Sequence, residues 1–328
     1  MTTTRYQLGS RGEPVRLLQQ ALQQQGLYLG PLDGDFGGGT QAAVRRFQSG
    51  AGLSPDGCVG AATWAALCGA ATAMPEPPHA GLDLLHRCLA LTGAFETGAG
   101  IPDCFCGLGG DFDGQGISFG VLQWNFGQGT LQPLLADMAE RHNALLASIF
   151  GEHLEALSEA LTASPEELMN FARSVQHPVR HHVFEPWRGY ARALGRTPEF
   201  QQIQAEHARA LFERALRMCD DHGLWSERAA ALMFDIVTQN GSIGAVTRAQ
   251  IRGDLARLPT GLSRQEEETM RMEIIANRRA EAANPRWVDD VRSRKLCIAR
   301  GSGTVHGIRY ELEQQFGIAL RPMDASAA

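Results

Sequence analysis

Two carboxylates, Glu96 and Asp113, stand at the two ends of a loop that is rich in glycine and acidic residues. Glu96 ends an apolar helical segment, whereas Asp113 belongs to the turn sequence DGQG. A carboxylic acid that protonates a leaving oxygen and a carboxylate that activates water can together hydrolyse a glycosidic bond. We expect partial burial to raise the pKa of Glu96, and backbone amides and water to keep Asp113 ionised. The pair therefore predicts acid/base hydrolysis.

The loop between these carboxylates holds other groups that could take part in the chemistry. Asp111 could replace Asp113 as the base, or could bind substrate. Cys104 and Cys106 are too closely spaced for an easy mutual disulfide, and no nearby pair of Cys or His residues completes a metal site with them. The glycines lack the preceding strand and the Lys-Ser/Thr sequence of a phosphate loop. The sequence therefore predicts neither a metal nor a cofactor.

The residues that follow the loop are candidates for binding a sugar. A strand is predicted over 117–124, and Gln123, Trp124 and Asn125 lie at its end. Aromatic faces are good platforms for pyranose rings, so Trp124 could line a subsite. Packing in the core is an equally good interpretation of Trp124.

Several histidines raise the question of a metal site. The segment HPVRHH carries His177, His181 and His182, but no acidic or Cys partner has a recognised spacing to it. We interpret these residues as surface or cleft-wall histidines. His306 could be structural or could reach the cleft.

The helix-ending glutamate, the segment DGQGIS and the following GVLQW resemble the catalytic signature of the lysozyme superfamily, most closely that of family-46 chitosanases. In those enzymes the glutamate is the acid, the aspartate of the turn is the base, and a hydroxyl residue five positions later holds the water. The resemblance implies these roles for Glu96, Asp113 and Ser118. Serine replaces the family's threonine and keeps the hydroxyl.

The same resemblance extends to two later segments, LMFDIVTQNG and ANRRAEA. They are similar to a buried central helix and a later arginine-bearing helix, whose Asp and Arg form an ion pair beneath the catalytic floor. The resemblance implies this pairing for Asp235 and Arg278, and a buried Asp without a partner would be costly. The alternative is two unrelated charges at the edge of the core.

The first 70 residues repeat one local pattern. The turn LDGDFGGGT, with Thr40 as its expected helix N-cap, recurs as DGCVGAAT, and each copy precedes a short helix. The helix over 13–25 places Val15, Leu18 and Leu22 on one face. These residues closely resemble a small three-helix peptidoglycan-binding domain. No histidine precedes His79, so a zinc-bearing variant of that domain is not supported.

A proline-rich segment separates this module from a mostly helical remainder. Ser164 and Ser263 open capping boxes, and Ser226 and Gly241 bracket an apolar helix that should be central and buried. We predict an α+β, lysozyme-like, mainly helical domain with a small β-hairpin or sheet at its cleft. The expected domains are a peptidoglycan-binding domain, a linker and a glycoside hydrolase domain, over 1–70, 71–81 and 82–328.

Composition limits the classes of partner. The chain has 328 residues with 44% hydrophobic content, which suffices for a full core and two domains. Residues 1–78 hold five basic and five acidic residues, so the net charge of −6 lies in the remainder and argues against nucleic acid. The sequence shows neither a signal peptide nor an apolar run long enough for a membrane span. We expect a monomer that is made in the cytoplasm and reaches the wall after lysis or specialised export.

These features predict a wall hydrolase. We expect cleavage of the β-1,4 glycan of peptidoglycan, with inversion, by a phage endolysin or a secreted antibacterial effector. A chitosanase is the alternative enzyme, favoured by the acidic residues around Asp103 and Asp111. A non-catalytic wall-binding scaffold is the alternative from another class.

Overall fold

The computed structural model describes residues 6–10, 12–69, 72–75, 79 and 81–323. The chain divides into two compact units, of which one is Leu89–Glu213 and the other joins Met1–Cys88 to Arg214–Ala328. Most of the prolines of the predicted linker, Pro77 and Pro78 among them, lie outside the described residues.

The N-terminal module consists of α1 (Glu13–Gln24), α2 (Gly38–Gly50) and α3 (Ala61–Cys68). The predicted core face of α1 is confirmed, because Val15 and Leu18 are buried with Trp64 in the core of the module. The predicted N-cap at Thr40 is wrong. Helix α2 begins two residues earlier, and the buried Thr40 hydroxyl donates a hydrogen bond to a turn carbonyl instead.

The predicted repeat folds around two buried glutamines. Gln19 in α1 and Gln48 in α2 each accept a hydrogen bond of 2.9 Å from the N–H of a turn glycine. Each also donates to an aspartate side chain, a backbone carbonyl and a threonine hydroxyl. The groups involved are Asp33, Gly34, Asp35 and Thr40 in the first copy, and Asp56, Gly57, Cys58 and Thr63 in the second. The sequence repeat is therefore a repeat of hydrogen bonding.

The unit Leu89–Glu213 is built from helices that surround one apolar cluster. These helices are α4 (Leu84–Thr97), α5 (Leu131–Phe150), α6 (Leu154–Thr162), α7 (Pro165–Ser174), α8 (Trp187–Gly195) and α9 (Pro198–Asp221), of which α4 begins before the unit and α9 ends after it. Leu134 and Met138 of α5 are four residues apart, so they share one helical face, and both lie in the cluster. The capping box at Ser164 is confirmed. No helix in the described ranges is long and apolar enough to cross a membrane.

A small sheet in this unit carries the predicted strand region. Its order is β1 (Leu108–Gly109), β2 (Ser118–Phe119) and β3 (Trp124–Asn125), with both pairs antiparallel. The single predicted strand over 117–124 is therefore wrong in extent. The chain turns between β2 and β3, where Gly120 and Gln123 both have positive φ.

The other unit continues with α10 (Glu227–Asn240), α11 (Ala245–Leu255), α12 (Arg264–Glu281), α13 (Val288–Arg300), β4 (Ser302–Val305), β5 (Ile308–Glu311) and α14 (Leu312–Phe316). The caps at Ser226 and Ser263 and the burial of α10 are confirmed. The antiparallel β4–β5 hairpin was not predicted. His306 lies in its turn and its imidazole contacts the Asp290 carboxylate at 2.5 Å, so His306 is structural.

The predicted ion pair between Asp235 and Arg278 is wrong. Asp235 is 1% exposed and receives hydrogen bonds from Arg294 at 2.7 Å and from Lys295 at 2.8 Å. Arg278 instead donates to Asp254 at 2.6 Å. Burial by itself raises the pKa of Asp235, but the two cations outweigh it and hold the pKa below its ordinary value. Arg294 and Lys295 of α13 thus neutralise the buried charge of Asp235, whereas an arginine of α12 was expected to do so.

Candidate functional site

Glu96 lies in the last turn of α4 and is exposed. The apolar residue before it, Phe95, is buried, so the last turn of the helix packs one face in the core and presents the Glu96 carboxylate on the surface. The partial burial that we expected for Glu96 is therefore not found. The Glu96 carboxylate is therefore open to solvent.

The two aspartates of the loop have different surroundings. Asp113 is exposed, and its carboxylate accepts a hydrogen bond of 3.1 Å from the backbone N–H of Gln115. The Asp111 side chain is only 9% exposed, accepts a hydrogen bond of 2.8 Å from Gly116 and lies 3.4 Å from the Arg173 guanidinium. The oxygens of Asp111 are thus already engaged in holding the turn. Asp113 is the carboxylate that this turn presents to solvent.

Ser118 occupies the middle strand of the sheet. It pairs with Gly109 of β1 on one side and with Asn125 of β3 on the other, and it is half-buried. The backbone at this position is fixed by ladder pairing on both edges, which limits how far the hydroxyl can move. The water-holding role expected of this hydroxyl stays a prediction.

The residues predicted to line sugar subsites fulfil different roles. Gln123 is half-buried, and its amide nitrogen donates to the Gly120 carbonyl at 2.9 Å. Trp124 packs against the apolar cluster of the unit, which favours the core interpretation. Asn125 is 7% exposed, and its side-chain oxygen accepts a hydrogen bond from Gln128. The predicted contact of Asn125 with substrate is corrected, because this amide organises the turn after β3.

A concave space of about 630 Å³ opens beside these residues, within the same unit. Its lining includes Thr97, which follows Glu96, and Phe112, which precedes Asp113. Gly109, the strand partner of Ser118, also lines it. We call this space the arginine pocket, because its remaining lining includes Arg188, Arg192 and Arg196 together with Asp103, His181 and His182.

Two glycines allow the walls of the arginine pocket to meet. A Cβ at Gly110 would lie 1.7 Å from the carbonyl oxygen of His181, so the loop that carries the histidines rests directly on the backbone after β1. A Cβ at Gly195 would lie 2.8 Å from the Cys106 sulfur. Helix α8 therefore packs closely on the 3₁₀ turn Asp103–Cys106. Close packing at these two glycines therefore holds the walls of the pocket together.

The charges of the pocket do not cancel. Arg196 donates to Asp103 at 2.6 Å, and Arg188 donates to Glu185 at 2.7 Å. Within the described part of the chain, the Arg192 guanidinium has no hydrogen-bond or ion-pair partner of its own. The pKa of Glu185 is lowered mainly by hydrogen bonding from Arg188 and more weakly by Arg192. Three guanidinium groups thus face two carboxylates.

The two cysteines of the loop are packing residues. Cys104 is fully buried, and the thiol of Cys106 points to the Pro102 and Arg192 carbonyls. Burial raises the pKa of Cys106 to about 12 and that of Cys104 well above its ordinary value. All seven cysteines of the chain are free thiols. Protonated thiols at these positions are poor nucleophiles and poor metal ligands.

Sequence reasoning missed the arginines of the pocket. Arg188, Arg192 and Arg196 follow one another at intervals of four residues in WRGYARALGR, which is the spacing of one helical face. That spacing was the available signal. The histidines of HPVRHH were interpreted as possible cleft-wall residues, and the structure places His181 and His182 in the wall of this pocket.

Comparisons with known proteins address the N-terminal module most directly. Residues 11–67 match the family model described as "Putative peptidoglycan binding domain". An uncharacterized protein in the bpoA1 3' region of Kitasatospora aureofaciens is 51% identical over 57 residues, which are 17% of this chain and 48% of that protein. The spore cortex-lytic enzyme of Bacillus cereus is 49% identical over 57 residues, which are 17% of this chain and 22% of that enzyme. The chain thus spans less than half the length of these curated relatives.

Among solved structures, native chitosanase from Bacillus subtilis MY002 is similar to this chain. The similarity covers 67% of this chain and 87% of that chain, with 17% sequence identity and a TM-score of 0.41.

Proposed function

We propose that this chain is a cell-wall glycoside hydrolase that cleaves the β-1,4-linked glycan of peptidoglycan. Glu96 is the general acid, Asp113 is the general base, and Ser118 positions the attacking water. Two observations together carry the proposal. The N-terminal module matches a peptidoglycan-binding domain, and Asp113 is exposed whereas the carboxylate of nearby Asp111 already accepts a hydrogen bond from Gly116. A wall-binding module raises the local concentration of the catalytic groups at the polymer.

The reaction would use the two carboxylates on opposite sides of the scissile bond. Glu96 gives its proton to the glycosidic oxygen as the C–O bond breaks, and a water molecule attacks the anomeric carbon. Asp113 accepts a proton from that water, while the Ser118 hydroxyl holds the water in line. We expect inversion, which requires room for a water between carboxyl groups roughly 6.5–9.5 Å apart.

The charges near these carboxylates favour peptidoglycan over chitosan. Asp103 is paired with Arg196 and Asp111 with Arg173, so two of the acidic residues that suggested a polycationic substrate are compensated. The adjacent pocket has an excess positive charge at Arg192. Chitosan carries a positive charge on each protonated glucosamine, whereas peptidoglycan carries carboxylates, and like charges in one cleft repel.

A chitosanase is the second candidate, because Glu96 and Asp113 are both exposed carboxylates that could attract glucosaminium units. Reducing-end assays on chitosan and on purified walls distinguish the two enzymes. A wall-binding scaffold without activity predicts no new reducing ends from either polymer.

The variant Glu96→Gln tests the proposed acid. It should abolish the turbidity loss of purified walls by the full-length protein, while the amount of protein that sediments with the walls stays unchanged. Glu155→Gln, which alters an exposed glutamate of α6 in the same unit, is the matched control and should lyse walls at the parental rate. Mass spectrometry of the soluble muropeptides identifies the bond. If the Glu96→Gln protein lysed walls at the parental rate, Glu96 would not be the general acid.

A further inference from the structure

We infer that the arginine pocket binds carboxylate groups that project from the glycan strand, namely the lactyl or stem-peptide carboxylates of muramic acid units. This inference rests on the proposed function, since it names the part of the substrate that this pocket recognises. The pocket would then distinguish a substituted muramic acid from a plain glucosamine unit.

The charge balance of the pocket carries the first step. Arg188 and Arg196 are each paired with one carboxylate, but Arg192 between them is not paired among the described residues. A concave wall with one excess cation concentrates its field on whatever enters it. A ligand that carries a negative charge would therefore neutralise the unpaired guanidinium of Arg192.

The shape of the cationic groups carries the second step. Arg192 stands one helical turn from Arg188 and one turn from Arg196, so an anion at Arg192 is within reach of a second guanidinium. Guanidinium groups bind carboxylates through two parallel N–H donors, which gives orientation as well as attraction. A carboxylate matches this geometry better than a neutral hydroxyl does.

The position of the pocket carries the third step. Phe112, which is 73% exposed, flanks the pocket and meets the His181 ring edge-on at 5.3 Å between centroids. An exposed aromatic ring next to Asp113 can support a sugar ring. A sugar held on Phe112 would lie at the wall of a pocket that also includes Arg192, and Phe112 directly precedes the proposed base, Asp113.

Binding of small ligands to the full-length Glu96→Gln protein tests the inference without turnover. N-acetylmuramic acid differs from N-acetylglucosamine by the 3-O-lactyl ether that carries the carboxylate, so the two sugars form a comparison pair for titrations followed by NMR chemical shifts. N-acetylmuramyl-L-alanyl-D-glutamate, whose lactyl carboxyl is consumed in an amide, tests the peptide carboxylates. At least one of the two carboxylate ligands should bind at least about fivefold more tightly than N-acetylglucosamine, and added salt should weaken this preference.

The variant Arg192→Gln assigns that preference to the pocket. In the Glu96→Gln background it should remove the preference for the carboxylate ligand and leave binding of N-acetylglucosamine unchanged. Arg209→Gln, at an exposed position of α9 outside the pocket, is the control and should keep the preference. Equal binding of all three sugars, or a preference that survives Arg192→Gln, would overturn the inference.

Wall hydrolysis by the parent protein separates this inference from the proposed function. If the parent cleaves walls but the ligand preference does not depend on Arg192, the inference fails alone. If the preference depends on Arg192 but no wall bond is cleaved, the proposed reaction fails and the carboxylate site stands.

Discussion

The carboxylate of Asp111 accepts a hydrogen bond of 2.8 Å from the backbone N–H of Gly116. This bond closes the turn that presents Asp113 to solvent, so the two aspartates have separable tasks. Asp113→Asn should lower the rate of wall hydrolysis by about 10²–10⁴-fold while the free energy of unfolding stays near the parental value. The measurements are initial rates on purified walls and urea unfolding of the same preparations.

The variant Asp111→Ala tests whether Asp111 stabilises the turn. It leaves the Gly116 N–H without its acceptor, so the free energy of unfolding should fall by about 1–3 kcal/mol. A variant with parental stability and no activity would identify Asp111 as the base.

Ser118 tests whether a hydroxyl at this strand position holds the water. Ser118→Thr keeps the hydroxyl on the same paired backbone and should retain most of the activity. Ser118→Ala should lower kcat by about 10–100-fold, because a misplaced water reacts poorly. Ser148→Ala, which removes an exposed hydroxyl of α5, is the control. Equal rates for the alanine and serine forms would count against a role for this hydroxyl.

The two glutamines of the N-terminal module test what holds its turns together. Gln19→Leu and Gln48→Leu should each weaken sedimentation of the full-length protein with walls and lower the free energy of unfolding by about 1–3 kcal/mol, because each leaves a buried glycine N–H unpaired. Gln20→Leu, at the exposed neighbouring position, should change neither. Unchanged wall binding in both buried-site variants would show that the turns do not form the binding surface.

Asp235 makes stability depend on pH. Its pKa is lower in the folded protein than its usual value of about 3.9, so the unfolded chain binds more protons in acid and stability falls as the pH drops below about 4. Asp235→Asn leaves Arg294 and Lys295 buried without their anion and should cost about 3–5 kcal/mol at pH 7. The difference between parent and variant in urea unfolding should narrow at pH 3. Asp289→Asn, at an exposed position, is the control.

Local signals in the sequence predicted much of the fold. The capping boxes at Ser164 and Ser263 are found as predicted, because capping involves residues only three positions apart. The turn repeat of the N-terminal module was also visible, because its Asp-Gly turn pattern occurs twice in the sequence. The β4–β5 hairpin was missed although His306 and Gly307 give the positive φ angles of a tight turn.

Long-range pairing was harder to predict. Asp235 finds its partners about 60 residues later in the chain, and which arginine faces it depends on how α10 and α13 pack. The resemblance indicated an arginine of α12 instead. The spacing of the arginines was visible in the sequence, but the pocket was not, since its wall depends on the contact between the backbone at Gly110 and the His181 carbonyl.

The regular spacing of Arg188, Arg192 and Arg196 has a consequence for redesign. Gly195 allows the close approach of α8 to its neighbouring turn, and Arg188 and Arg196 are held by carboxylates, so Arg192 is the position that can change with least effect on the packing. A glutamate at position 192 would favour an amine in the pocket, and a leucine there would favour an apolar group. The specificity proposed for the arginine pocket could thus be altered at one position of a short helix.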